Sequence, residues 1–80
     1  MAQFIIHHQH EPAECEASVA SWRGFTSPLR GTGTPSACRF GDHETWWRVH
    51  ADDESDAYDM LPPFVAERAR ITRVGELRVP

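Results

Sequence analysis

The 80-residue chain has no lysine and no asparagine, only two cysteines, and no apolar run approaching the roughly 20 residues that span a bilayer. The last absence excludes a membrane-spanning helix. Met1 is followed by Ala2 and Gln3 with no basic segment, and the first apolar run, Phe4 to Ile6, is too short for a secretory signal core. A cytoplasmic protein is therefore expected. Cations are few, eight Arg against twelve Asp and Glu, and the net charge is −4. That balance argues against phosphate-backbone binding and predicts neither nucleic acid nor membrane as a partner. A chain of this size buries only about 60 % of the surface its unfolded form exposes, so residues 1–80 form one domain with a small core.

Histidine, by contrast, is plentiful. His7, His8 and His10 fall within four positions, His43 and His50 follow, and protonating all five would move the net charge from −4 to +1. Cys15 and Cys38 are read as free thiols, because no secretion signal accompanies them.

Residues 3–10 suit a first strand, with Phe4, Ile6, His8 and His10 on one face and Ile5, His7 and Gln9 on the other. Glu11-Pro12 reads as a helix start, Cys15, Val19 and Trp22 form one apolar stripe, and Gly24 ends the helix. Residues 24–36 hold three Gly and two Pro and predict a long loop. Ser36–Phe40 and Thr45–Ala51 read as a hairpin turning at Gly41-Asp42-His43-Glu44, with Trp47, Val49 and Ala51 facing the helices. The acidic run Asp52–Asp56 caps a second helix that Pro62-Pro63 interrupts, and Ile71–Val79 closes the pattern as a strand, with Ile71, Leu77 and Val79 on one side.

The order β-α-β-β-α-β is the ferredoxin-like unit: an α+β fold with a four-stranded antiparallel sheet in the order 4-1-3-2 and two helices on one face. Its bare face, carrying Trp46 and Ile5, predicts a homodimer. The spacing His8-x-His10-x-x-x-x-Cys15, then a hairpin and Thr-Trp-Trp-Arg-Val-His-Ala running into an acidic cap, resembles small proteins of the dimeric α/β-barrel superfamily. Muconolactone isomerase-like proteins and small actinobacterial nickel-binding ferredoxin-like proteins are the groups it is similar to. That resemblance implies a pocket between helices and sheet, where Trp22, Phe25, Trp46, Trp47, Tyr58 and Phe64 would hold a small aromatic ligand. Arg48 and His50 would then orient a polar group or move a proton.

In such a topology the end of the first strand, the start of the first helix and the hairpin turn share one sheet edge. His8, His10, Cys15 and His43 then gather as ligands for a transition metal, nickel or zinc, since imidazole and thiolate suit these ions rather than magnesium or calcium. The opposing reading makes His8 a half-buried strand residue, His10 and His43 solvated turn residues, and Cys15 part of the apolar stripe. Cys38 and His50 are placed at the opposite edge, too far for a Cys15–Cys38 disulfide. Three functions follow in order: a transition-metal-binding dimer, an isomerase or cofactor-free monooxygenase acting on a small aromatic substrate, and a non-catalytic interaction protein.

Overall fold

The structure, a computed structural model, describes residues 1–80. Three strands, β1 (Ala2–Gln9), β2 (Glu44–Ala51) and β3 (Ala69–Val74), form one antiparallel sheet in the order β2-β1-β3. The first strand in the chain is thus the central one. Ile6 pairs with Trp47 on one side and Ile71 on the other, while His8 pairs with Thr45 and Ala69. Alternation along β1 buries Phe4, Ile6 and His8, which leaves Ile5 and His7 on the opposite face. The buried face meets Val49 and Ala51 of β2 and Ile71 of β3, with Ala57, Leu61 and Val65 closing over them.

The closing layer is three short helices, α1 (Cys15–Ala20), α2 (Glu54–Tyr58) and α3 (Pro63–Ala66). Asp53 caps α2, its carboxylate accepting from the Asp56 backbone N–H at 2.8 Å. Pro63 opens α3, where a missing N–H is harmless, so the Pro62-Pro63 pair separates two helical turns without leaving an unpaired donor. The long segment before residue 38 has no regular structure. It is anchored where the Ser27 hydroxyl donates to the Met60 carbonyl at 2.6 Å and where Trp22 and Leu29 rest against the core.

The ferredoxin-like expectation is overturned: the sheet has three strands, not four, and three helices of four to six residues replace two long ones. The missing strand is Ser36–Phe40. It touches β2 only through a single bridge, Ser36 to Thr45, before Cys38–Phe40 winds into a 3-10 turn closed by Gly41, whose φ of 100° reverses the chain. The first helix is also shorter than the Cys15–Val19–Trp22 stripe implies. Val19 is 67 % exposed, and the buried position of α1 is Ser18. The last strand stops at Val74 rather than Val79, because its one partner, β1, begins at Ala2 and the pairing ends at Gln3 opposite Val74; Leu77 and Val79 are exposed beyond it. No helix is long and apolar enough to cross a membrane.

Candidate metal centre

Two short arms of the chain meet beyond the end of the sheet. The first leaves β1, passes His10 and makes a 3-10 turn over Pro12–Glu14 to reach Cys15, the first residue of α1. There the Glu11 N–H donates to the Glu14 carboxylate at 2.9 Å, whose other oxygen accepts from Arg68 Nη2 at 2.8 Å. The Arg68 guanidinium lies 3.7 Å from the Phe64 ring centroid, so α3 clamps this arm from outside. Its hydrogen bond holds the Glu14 carboxyl below the usual range. The second arm begins at Cys38, makes the Cys38–Phe40 turn and returns through Gly41 to His43, one residue before β2. The two arms are stitched together by the backbone: the N–H of His10 donates to the carbonyl of His43 at 3.0 Å.

This arrangement brings together His10, Cys15, Cys38 and His43, whose ligand atoms all lie within 4.8 Å of one another. Nε2 of His10 is 3.2 Å from Sγ of Cys15 and 4.0 Å from Sγ of Cys38, and Nδ1 of His43 is 2.9 Å from Sγ of Cys15. A tetrahedral ion with metal–nitrogen and metal–sulfur bonds of about 2.0 and 2.3 Å separates its ligands by about 3.3–3.8 Å, a spacing that the nitrogen–sulfur distances of 2.9, 3.2 and 4.0 Å bracket. The set can hold a metal ion.

Of the residues the sequence nominates, His10, Cys15 and His43 converge, whereas His8 stands behind the cluster. Nε2 of His8 lies 2.8 Å from Nδ1 of His10 and 3.2 Å from the Ser18 hydroxyl, and the residue is only 2 % exposed. The reading of His10 as a solvated turn residue fails, since it is buried. Cys38 is the fourth member, not a residue of the opposite edge, because a strand over residues 36–40 would carry it away from Cys15 whereas the 3-10 turn over Cys38–Phe40 brings it near. A signal was present: His10-x4-Cys15 and Cys38-x4-His43 are the same spacing in opposite order, as two equal arms closing on one point require. Both cysteines are free thiols. His50 lies at the far end of β2, opposite Gln3.

Burial pushes the His10 pKa down, with the neighbouring His43 adding to the effect. Burial likewise lowers that of His8, with His10 contributing. Cys15 is pushed up, by burial first and by the adjacent Cys38 second. Neutral imidazoles are the ligating form, while the raised thiol opposes a nucleophilic role for Cys15. Each thiolate would be created by the ion it binds.

The aromatic hollow implied by the family resemblance is reduced to a shallow depression lined by Trp22, Leu29, Thr34 and Trp47, with Arg30 at its rim. No carboxylate, imidazole or thiol lines it. Arg48 is directed to the other face of the sheet, where it donates to Gln3 at 2.9 Å. Trp46 also lies on that face, stacked on His7 with ring centroids 5.4 Å apart. No protein-family model, curated protein or solved structure matches the chain.

Proposed function

We propose that the protein is a metal-binding protein whose His10, Cys15, Cys38 and His43 hold one zinc ion as a structural clip. The observation that carries this reading is the convergence of two thiols and two imidazoles, from two separate arms of the chain, within 4.8 Å. Two thiolates and two neutral imidazoles form a tetrahedral donor set suited to zinc; nickel(II) with nitrogen and oxygen donors favours square-planar geometry. The role is structural because all four tetrahedral positions are filled by side chains, leaving none for substrate or water. Of the four, only His10 borders the large polar hollow beside the sheet. A chain with so small a core gains most from such a clip, since metal affinity for the folded state adds directly to folding stability.

Protein purified without a histidine tag should contain one zinc per chain by elemental analysis. Replacing zinc by Co²⁺ should give sulfur-to-cobalt charge transfer and the intense visible bands of four-coordinate cobalt. A metal-free protein that also fails to bind added Zn²⁺ or Co²⁺ at neutral pH would overturn the proposal.

A further inference from the structure

His8 occupies a position that alternation reserves for hydrocarbon. Phe4 and Ile6 precede it on the same buried face, and a polar ring placed there must find partners or destabilise the core. Its partners are His10 and Ser18, and Ser18 is itself the one buried residue of α1. The other ring nitrogen, Nδ1, is buried and has no partner at hydrogen-bonding distance, although the carbonyls of Val65 and Arg68 lie close to the ring. The core therefore retains an imidazole that hydrocarbon packing would not select.

We infer that His8 is a positioning residue of the metal centre: its Nε2 accepts a hydrogen bond from the Nδ1–H of His10 and so fixes His10 in the tautomer whose Nε2 is free to bind the ion. The inference rests on the proposed zinc site. A neutral imidazole has one N–H and one acceptor nitrogen. When Nε2 of His10 gives its lone pair to a metal, Nδ1 must carry the hydrogen, and the acceptor within reach is Nε2 of His8 at 2.8 Å. His8 then carries its own hydrogen on Nδ1, the ring edge without a hydrogen-bond partner. The opposite assignment puts a hydrogen on Nε2 of His10, aimed at Cys15, and leaves the Nδ1 lone pair of His8 buried without a donor. Either assignment leaves Nδ1 of His8 without a partner, so the choice between them lies with Nε2 of His10, which only the first frees for an ion. The Ser18 hydroxyl, 3.2 Å from Nε2 of His8, flanks the shorter bond and fixes the ring's position. Metal-bound histidines commonly rely on an acceptor behind the ring, and its loss costs about 10–100-fold in affinity.

The test compares His8→Leu, which removes the acceptor, with His8→Gln, whose side-chain oxygen can replace Nε2. Zinc affinity is measured by competition with a chromophoric chelator, and the His10 tautomer in the zinc-loaded protein by long-range ¹H–¹⁵N NMR. Wild type should show zinc on Nε2 and hydrogen on Nδ1 of His10. His8→Leu should lose about 10–100-fold in affinity, and His8→Gln should recover most of it. The inference is overturned if a folded His8→Leu binds as tightly as wild type, if His8→Gln is as weak as His8→Leu, or if wild-type His10 binds through Nδ1. Should His8→Leu not fold, the wild-type tautomer and the affinity of His8→Gln decide alone. A wild-type protein that binds no zinc removes the metal site and this role together, whereas binding unaffected by His8 removes only the role.

Discussion

Replacing Cys38 by Ser tests the ligand that the sequence pattern misplaced. The side chain is half-buried, and its sulfur stands 4.0 Å from Nε2 of His10, so the substitution removes a soft ligand while disturbing little else. At free zinc a hundredfold above the dissociation constant, binding to the folded state alone stabilises wild type by about 2.7 kcal/mol. For a domain of this size 1 kcal/mol moves Tm by roughly 4–8 °C, so zinc should raise Tm by about 11–22 °C. Loss of a group behind a ligand already weakens such sites about 10–100-fold, and loss of the ligand itself should weaken them at least a hundredfold. At the same zinc concentration the variant would then sit near its own dissociation constant and gain only about 0.4 kcal/mol, or roughly 2–3 °C. Differential scanning calorimetry with zinc and with chelator measures both shifts. Phe40→Ala is the control, because Phe40 is exposed on the same turn and should keep the wild-type response. A Cys38→Ser protein with the full zinc shift would refute the four-ligand arrangement.

Thiol labelling should count two reactive groups in the denatured, metal-free chain and almost none in the zinc-loaded native protein; equal labelling in both states would contradict ligation by Cys15 and Cys38. In chelator-treated protein, His8 and His10 have pKa values below those of the unfolded chain. The unfolded state therefore binds more protons, so stability present above about pH 6.5 should be lost as pH falls through the lower folded values. A Tm independent of pH from 7.5 to 5 would count against that burial. Ile6→Ala, at the fully buried centre of β1, should destabilise by about 2–5 kcal/mol in chemical denaturation, while Asp53→Ala, which removes the α2 cap, should cost about 1 kcal/mol. Equal effects from the two would mean that the core is not centred on β1.

Sequence pattern locates β1 and the inward face of β2 well, because Phe4, Ile6, His8 and then Trp47, Val49 and Ala51 alternate over several residues, and a period of two admits one inward face. It misleads at Ser36–Phe40, where a few residues beside a Gly-Asp turn resemble a hairpin arm. There the chain makes only one bridge and spends the rest of the segment turning Cys38 toward Cys15. The same error misplaced a ligand, since an extended arm and a 3-10 turn send residue 38 in different directions. The role of Ser18 was also illegible, because a buried hydroxyl on α1 has meaning only once His8 is known to lie beneath it.

The central place of β1 has a consequence for the order of events during synthesis. The innermost strand emerges early but needs β2 on one side and β3, which ends at residue 74, on the other. The last of the four cluster residues, His43, emerges one residue before β2 begins. An ion captured then would already hold the end of β1 against the start of β2, with the N–H of His10 facing the carbonyl of His43. Strand pairing could proceed from that fixed end like a zip, leaving β3 to dock last on the free edge of a strand whose register was already set.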